Sequence, residues 1–305
     1  MLLPDLISAA LVNQSQYICR FPVSFSASPF FPNDDSIMAL VLRQNSQITF
    51  AKPTFKSQTT NPFLPYHPES FISELTNEHV LLLNKFVAVD GHCLIVTKEF
   101  HPQFLPLTFS DSCAVAKCLR EIDSFIYYNC GQRTGASQPH KHLQLIPLPL
   151  SREPYIYCPL LEVMNRDGRQ ESNEGVMKVS SFSFKHAYMR FSVSFEDFDF
   201  ANHVFDCFCR VADFLGIEHS LSFYSKFVAN ISNHNDIYSN GAEDLPGYSL
   251  VITRKFIFIA RRKSGKAWGI SANSSAFLGS IFVDEEGLEV VKEKGLSGIL
   301  EELAE

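Results

Sequence analysis

The chain has 305 residues, and its 26 Lys and Arg against 33 Asp and Glu give a formal net charge of −7. The 46% apolar and 19% charged composition is that of a folded globular protein of one large domain or two small ones, which excludes global disorder. The acidic balance argues against nucleic-acid and membrane partners, because both surfaces are bound through clustered Lys and Arg. A small molecule that carries phosphates needs only a few local donors and is not excluded.

The apolar N-terminus at residues 1–12 lacks a basic region and contains Asp5, so it predicts a short amphipathic helix rather than a secretory signal. No stretch approaches the roughly 18 uninterrupted apolar residues that a membrane span requires. The eight cysteines include no Cys-x-x-Cys pair. We therefore expect buried or half-buried thiols in a reducing, cytoplasmic compartment.

The elements are predicted from hydrophobic periodicity in chain order. The first eighty residues have many Phe and Pro residues and predict mainly loops, with a short strand at 47–51. Two apolar runs, 79–89 and 92–97, flank Asp90-Gly91, which is a strong signal for a two-residue hairpin. A helix follows with its cap at Ser110 or Asp111.

Beyond that helix, the sequence predicts a loop at 129–139, a strand at 142–147 and a polar excursion at 151–175. The later predicted elements are a strand at 181–189, a helix at 202–215, strands at 247–253, 256–260 and 277–283, and helices at 285–293 and 296–304. Because the strands connect mainly through hairpins, the pattern favours an α+β fold with an antiparallel sheet. No internal repeat is visible in the sequence.

The most informative stretch is Gly-Ala-Ser-Gln-Pro-His-Lys-His-Leu-Gln at 135–144. If a strand begins at His140, its period of two places His140, His142 and Gln144 on one face and the leucines between and after them in the core. The backbone N–H groups and the Ser137 hydroxyl of the preceding turn are suited to bind phosphate oxygens. A neutral imidazole can then attack phosphorus and form a covalent phosphoramidate.

Two other interpretations of the histidines remain open at this point. His140 and His142 can be metal ligands if His92 or His101 supplies a third ligand. They can also be buried histidines that only hydrogen-bond the core. The amide at Gln144 cannot pass a proton to a leaving group, which favours transfer to an acceptor with its own nucleophilic oxygen over hydrolysis.

Asn129 and the run 135–144 resemble the signature of the diadenosine tetraphosphate phosphorylases, also called ATP adenylyltransferases. This family belongs to the transferase branch of the histidine-triad superfamily, in which Gln replaces the third His. Further similar stretches lie at 81–86, 92–100, 248–253 and 270–274. The resemblance implies a single histidine-triad-like domain over 1–305, with an antiparallel sheet flanked by helices. Its N-terminal part, 1–180, carries the catalytic motif, and 181–305 completes the nucleotide site.

The resemblance implies that His142 is the nucleophile, that Gln144 binds the phosphate under attack and that His140 orients the nucleophile. It also implies a set of substrate-binding residues: Lys52, Asn84, Lys85, Asn129, Gly135, Ala136, Ser137, Gln138, Asn273, Ser274 and Ser275.

The chain departs from the family pattern downstream of residue 275. It has Ser280 and Asp284 where the pattern has Met and Lys. Arg261, Arg262 and Lys263 can compensate for the missing Lys, or they can simply be solvated as the basic end of a hairpin.

The activity implied by the resemblance is reversible phosphorolysis of diadenosine tetraphosphate to ATP and ADP through an adenylyl-histidine intermediate. Its partners are the dinucleoside polyphosphate, ATP, ADP and phosphate. No obligatory cofactor or protein metal site is expected, and Mg²⁺ accompanies the substrate phosphates. The alternatives are a related dinucleoside polyphosphate hydrolase, a sugar-nucleotide phosphorylase or uridylyltransferase, and a nucleotide-binding sensor without turnover.

Overall fold

The structure is a computed structural model that describes residues 2–13, 19–20, 23–44, 61–87, 89–153, 155–229, 231 and 242–305. The described α-helices are α1 (Leu3–Asn13), α2 (Phe109–Glu121), α3 (Pro159–Asp167), α4 (Phe200–Phe214), α5 (Leu221–Val228), α6 (Ser275–Leu278) and α7 (Glu285–Leu303). No helix in these ranges combines the length and the apolar character needed to cross a lipid bilayer.

The strands of the N-terminal half are β1 (Cys19–Arg20), β2 (Val23–Phe31), β3 (Asp34–Gln44), β4 (Phe71–Glu74), β5 (His79–Leu83), β6 (Phe86–Val87), β7 (Cys93–Thr97), β8 (Ser124–Cys130), β9 (His142–Pro147), β10 (Ser151–Arg152) and β11 (Tyr155–Ile156). Those of the C-terminal half are β12 (Gly168–Gln170), β13 (Met177–Val179), β14 (His186–Arg190), β15 (Gly247–Ile252), β16 (Phe256–Arg262), β17 (Lys266–Ala267), β18 (Ile270–Ser271) and β19 (Ser280–Val283).

A ten-stranded sheet organises the molecule, in the order β12-β13-β14-β16-β15-β8-β9-β7-β5-β4. Every neighbouring pair in it is antiparallel. The expected α+β fold with a large antiparallel sheet is therefore confirmed.

The strand order repeats across the centre of this sheet. Going outwards from the central pair, the first repeat has β8, β9, β7, β5 and β4, and the second has β15, β16, β14, β13 and β12. Numbered along the chain within each repeat, both orders read 4-5-3-2-1, with helices between the third and fourth strands. The repeats join at one seam, where Asn129 on β8 pairs with Ser249 on β15. This repeat of topology was not predicted from the sequence.

Each face of the sheet is covered by its own apolar core. Helices α1, α2 and α4 pack on one face around residues such as Leu143, Leu145 and Leu250. On the other face, α3, α6, α7 and the three-stranded sheet β19-β3-β2 cover mainly the second repeat. His142 and Gln144 lie on this second face, where a separate small cluster that includes Phe63, Leu94 and Val96 adjoins them.

Several element predictions were correct only in part. The loop-rich prediction for the first eighty residues is wrong, because β2 and β3 form a long antiparallel hairpin there, and the strand predicted at 47–51 lies outside the described residues. The hairpin of β5 and β7 exists, but β6 lengthens its connection. Helix α2 is capped by Thr108, two residues before the predicted Ser110, in a reciprocal capping box with Asp111.

The later half shows similar differences. The polar excursion contains helix α3, whose apolar residues pack under the sheet. Of the strand predicted at 277–283, only Ser280–Val283 is extended, since the residues before it form α6. The predicted break between the last two helices occurs at Gly295, where φ is 65° within α7.

Candidate active site

The histidine motif lies where β9 begins, in the first repeat and next to the seam. His142 pairs with Val96 on β7, and Gln144 pairs with Leu94 on β7 and with Tyr127 on β8. The predicted alternation holds along β9, because Leu143 and Leu145 enter the core under α2. His140 precedes the strand and forms an isolated bridge with Pro102.

The His142 ring has a defined orientation. Its Nδ1 atom lies 2.8 Å from the backbone oxygen of His140, so Nδ1 carries the proton and Nε2 carries the lone pair. Burial lowers the pKa of His142 to about 4, which keeps the imidazole neutral near pH 7. The side chain is only 3% exposed, and the Phe63 ring lies 5.4 Å from it.

The His140 ring is buried and is held by hydrogen bonds to neighbouring residues. Its Nε2 atom donates to the backbone oxygen of Thr97 at 2.8 Å, and its Nδ1 atom accepts from the Asn61 side-chain amide at 3.0 Å. Burial lowers its pKa to about 4. These bonds fix the carbonyl of His140, which in turn fixes the tautomer of His142.

Gln103 is a site residue that the sequence analysis missed. Its fully buried amide accepts from the backbone N–H of His142 at 2.9 Å. The same amide donates to the backbone oxygens of Asn129 at 3.0 Å and His142 at 3.2 Å. It thereby joins β8 to β9 at His142. Nothing in the local pattern around residue 103 indicates this role, because the contacts are made across 26 to 39 residues of sequence.

Gln144 has one side of its amide fixed by two donors. Its Oε1 atom accepts from the Tyr127 hydroxyl at 2.7 Å and from the His92 Nε2 atom at 2.9 Å. Both bonds fix the orientation of the amide, in which the NH₂ group is the donor end. Asn84 lies beside this group, with its Nδ2 atom 3.2 Å from the His92 ring nitrogens, and Lys85 next to it is exposed.

The turn before the motif combines a left-handed backbone conformation with a close approach to another chain segment. Gly135 has φ of 78°, and a Cβ atom there would lie 2.9 Å from the backbone oxygen of Ala272. Ser137 is exposed, Ala136 and Gln138 are partly buried, and the Gln138 Oε1 atom is a buried acceptor with no partner among the described residues. Such an orphaned acceptor is suited to a donor group on a ligand.

The C-terminal loop at 273–275 reaches the site through Asn129. The Asn129 Oδ1 atom accepts from the backbone N–H of Ser274 at 2.7 Å and from its hydroxyl at 2.6 Å. The Asn273 side chain lies within hydrogen-bonding reach of the Tyr127 hydroxyl. Ser275 hydrogen-bonds Asn273 within the loop, at 2.6 Å. A cavity of about 110 Å³ opens beside the loop and is lined in part by Gly135 and Asn273.

Lys141, between the two histidines, points to the opposite face of the sheet. Its Nζ atom is buried and lies 2.5 Å from Asp111 Oδ2 and 2.7 Å from the backbone oxygen of Pro106. His79 contacts the other oxygen of Asp111 at 2.9 Å. Burial acts to raise the pKa of Asp111, but Lys141 and His79 outweigh it and hold that pKa below its usual range. This ion pair ties the motif to the start of α2.

The positions that depart from the family pattern have structural roles here. Asp284 accepts a hydrogen bond from the backbone N–H of Gly287 at 2.8 Å and so caps α7. The backbone oxygen of Ser280 accepts from Ser275, and Ser280 lines the cavity. Lys52, expected at the nucleotide, lies outside the described residues.

The metal interpretation needed a third ligand beside His140 and His142. His92, one candidate, contacts Gln144 instead. Within the described part of the chain, the one group of three side chains spaced to hold a metal ion is His203, Asp206 and Cys207 on α4, under the opposite face of the sheet. The motif histidines do not belong to it.

Two family profiles match the chain and together cover most of it. The Ap4A phosphorylase N-terminal domain matches residues 27–166, and the ATP adenylyltransferase C-terminal domain matches residues 180–304. The first contains β9 and its histidines, and the second contains the loop at 273–275.

Individual proteins are also similar to this chain in sequence or in structure. Diadenosine 5′,5‴-P1,P4-tetraphosphate phosphorylase 2 of Saccharomyces cerevisiae is 28% identical over 261 residues, which span 78% of this chain and 73% of that protein. The crystal structure of yeast Ap4A phosphorylase Apa2 has a TM-score of 0.74 at 22% identity and covers 100% of this chain and 95% of that one. The structure of Apa2 in complex with Ap4A has the same TM-score at 20% identity, with 100% and 98% covered. These structures share the fold of this chain.

Proposed function

This chain belongs to the Ap4A phosphorylase and ATP adenylyltransferase family, and we propose that it cleaves diadenosine tetraphosphate with phosphate to give ATP and ADP. The observation that carries the proposal is the buried, neutral His142, whose Nδ1 proton is bound by the His140 carbonyl and whose Nε2 lone pair is free to react. This is the form that a nucleophilic imidazole needs.

The reaction proceeds in two displacements. In the first, His142 Nε2 attacks the α-phosphorus, the bond to the bridging oxygen breaks, and ATP leaves with that oxygen. The imidazole becomes positively charged in the phosphoramidate, and the His140 carbonyl at Nδ1 stabilises that charge. In the second, an oxygen of inorganic phosphate attacks the same phosphorus, the P–N bond breaks, and ADP forms while neutral His142 is regenerated.

Gln144 explains the choice of acceptor. Its Oε1 atom is occupied by Tyr127 and His92, so its NH₂ group donates to the phosphoryl oxygen whose charge grows in each displacement. An amide cannot remove a proton from water, whereas phosphate arrives with an ionised oxygen. This favours phosphorolysis over hydrolysis.

We assign the adenylyl and adjoining phosphates to Asn129 and the Gly135–Gln138 turn, and the loop Asn273–Ser275 closes on them from the second repeat. Asn84 and Lys85 face the nucleotide on the other side, with Lys52 as a further cation. Mg²⁺ acts with the substrate phosphates rather than through a cage of protein ligands.

The decisive experiment incubates the protein with diadenosine tetraphosphate, with and without phosphate, and separates the nucleotides by chromatography. Phosphorolysis predicts ATP and ADP in equal amounts and only when phosphate is present. Release of ATP and AMP independent of phosphate would show a hydrolase. Binding without any product would show a sensor, and turnover of sugar nucleotides alone would show the uridylyltransferase alternative.

A further inference from the structure

Arg262 is a fully buried cation at the end of β16. Its side chain is 1% exposed, and none of the ion pairs between described residues includes it. Its neighbour Arg261, by contrast, pairs with Glu305 at 2.9 Å. A buried charge without a counter-ion is costly, so its retention calls for a physical reason.

All of the acceptors around Arg262 are neutral. Its Nη1 atom donates to the Ser249 hydroxyl at 3.0 Å, and its Nη2 atom donates to the backbone oxygens of Ser264 and Ala272, both at 2.8 Å. The guanidinium also lies over the Phe277 ring, 5.4 Å from the centroid. Burial lowers its pKa to about 9, which leaves the group largely charged at neutral pH.

These contacts place Arg262 directly behind the candidate site. Ser249 is the seam partner of Asn129, and Ala272 immediately precedes the loop that bonds Asn129 and approaches Tyr127. The backbone oxygen of Ala272 is also the atom that a side chain at Gly135 would meet. The guanidinium therefore hydrogen-bonds the seam at Ser249 and the loop at Ala272. Ala272 in turn lies against the turn at Gly135.

We propose that Arg262 is a positioning residue that holds the loop at 272–275 in place and, from behind it, supplies the positive charge that the substrate polyphosphate balances. The proposal rests on the proposed function and adds a determinant of affinity for phosphate groups. The neutral acceptors fix the guanidinium. The negative charge of the bound phosphates, on the other side of the loop, then balances its positive charge.

The test is a series of ligands that differ in the number of phosphates. Calorimetry measures binding of AMP, ADP and ATP to the wild type and to the variants R262M, R262K and R261M. For R262M the affinity loss grows with each phosphate and reaches about tenfold for ATP, which corresponds to 1.4 kcal/mol. R262K keeps the wild-type ratio of ATP to AMP affinity because it keeps the charge. R261M, at the neighbouring paired arginine, binds all three like the wild type.

A role limited to packing predicts a different pattern. If R262M weakens AMP, ADP and ATP by the same factor, or if R262K follows R262M, Arg262 acts only through its contacts and the proposal is wrong. R262Q, which keeps a hydrogen-bond donor without the charge, replaces R262M in the comparison if R262M does not fold. S249A removes one acceptor but no charge and leaves the ratio unchanged.

Failure of this inference can be distinguished from failure of the proposed function. The phosphorolysis assay is run on the same wild-type preparation. A wild type that performs phosphorolysis, with equal losses for all three nucleotides in R262M, overturns only the role of Arg262. A wild type that binds none of the three nucleotides overturns the proposed function and this inference together.

Discussion

The Nδ1 atom of His142 lies 2.8 Å from the carbonyl oxygen of His140. This single contact decides which nitrogen of the ring can react, because a proton held at Nδ1 leaves the lone pair at Nε2. It also connects the two histidines functionally. His140 acts through its backbone, while its ring is occupied by Thr97 and Asn61.

Replacing His142 with Ala removes the proposed nucleophile. We expect no acid-labile adenylyl adduct and a loss of kcat of about 10⁴-fold or more, in the range found when a covalent nucleophile is deleted. Adduct formation is followed with radiolabelled substrate and acid treatment. H219A is the control, because His219 is partly exposed and has Asp213 as its partner. An adduct that persists in H142A means that another residue is the nucleophile.

The pH dependence of the first displacement follows from the lowered pKa of His142. Its neutral form reacts, and its pKa of about 4 keeps that form present well below the ordinary histidine value of 6.5. Single-turnover adenylylation therefore stays nearly constant as the pH falls from 7 to about 5 and is half lost near 4. A midpoint close to 6.5 would show that the ring is not protected from protonation.

Tyr127 orients Gln144 through one hydrogen bond of 2.7 Å. The variant Y127F removes that donor and leaves His92 alone at the amide oxygen, so the NH₂ group is less well aimed. We expect kcat to fall roughly 5- to 30-fold with little change in KM, since one hydrogen bond of this kind contributes about 1–2 kcal/mol. Y157F, which loses a hydroxyl bonded to Asp123 away from the site, is the matched control. Equal kinetics for the two variants would contradict this role.

Alanine substitution at two glycines with similar backbone angles distinguishes the effect of a steric contact from the effect of backbone strain alone. Gly135 and Gly269 have φ of 78° and 84°, but only at Gly135 would a Cβ atom meet other atoms, at 2.9 Å from Ala272. Both alanine variants bear a backbone cost of roughly 1 kcal/mol. G135A also displaces the loop at 272–275, so we expect its KM for the dinucleotide to rise about tenfold while G269A stays near the wild type. Steady-state kinetics and thermal melting of both variants measure the difference.

The buried pair of Lys141 and Asp111 anchors the motif. In K141M the Asp111 carboxylate loses its cation inside the protein, which costs about 3–5 kcal/mol of unfolding free energy. The exposed pair of Lys98 and Glu74 is the control, and K98M costs less than about 1 kcal/mol. Urea denaturation compares them. If K141M and K98M lose the same unfolding free energy, the buried pair does not anchor the strand.

The arrangement of site residues within one strand could be predicted from the sequence. The contacts between site residues that are distant in sequence could not. The alternation of His142, Leu143 and Gln144 depends only on strand geometry, so the sequence predicts which side chains share a face. Gln103 and the bond between Asn129 and Ser274 depend on chain segments that meet only after folding. Neither contact has a periodicity or a motif that marks it.

The cap of α2 could be predicted from the sequence only in part. Thr108 and Asp111 have the spacing of a capping box, with Asp in place of the usual Glu or Gln. The signal was present, but the hydroxyl at Ser110 and the carboxylate at Asp111 were also good caps by residue type. Tertiary contacts decided between them, because Asp111 is also the partner of Lys141.

The repeated strand order makes the chain comparable to two subunits fused about a two-fold axis. In a dimer of identical subunits every substitution appears twice, so a residue that suits catalysis on one side must be tolerated on the other. Two repeats within one chain are free of this constraint. The fifth strand of the first repeat carries His142 and Gln144, whereas that of the second carries Phe256 and Phe258, buried beneath α6 and α7. The histidine motif therefore occurs in one repeat alone, and the C-terminal half contributes the loop at 273–275, which hydrogen-bonds Asn129 of the first repeat.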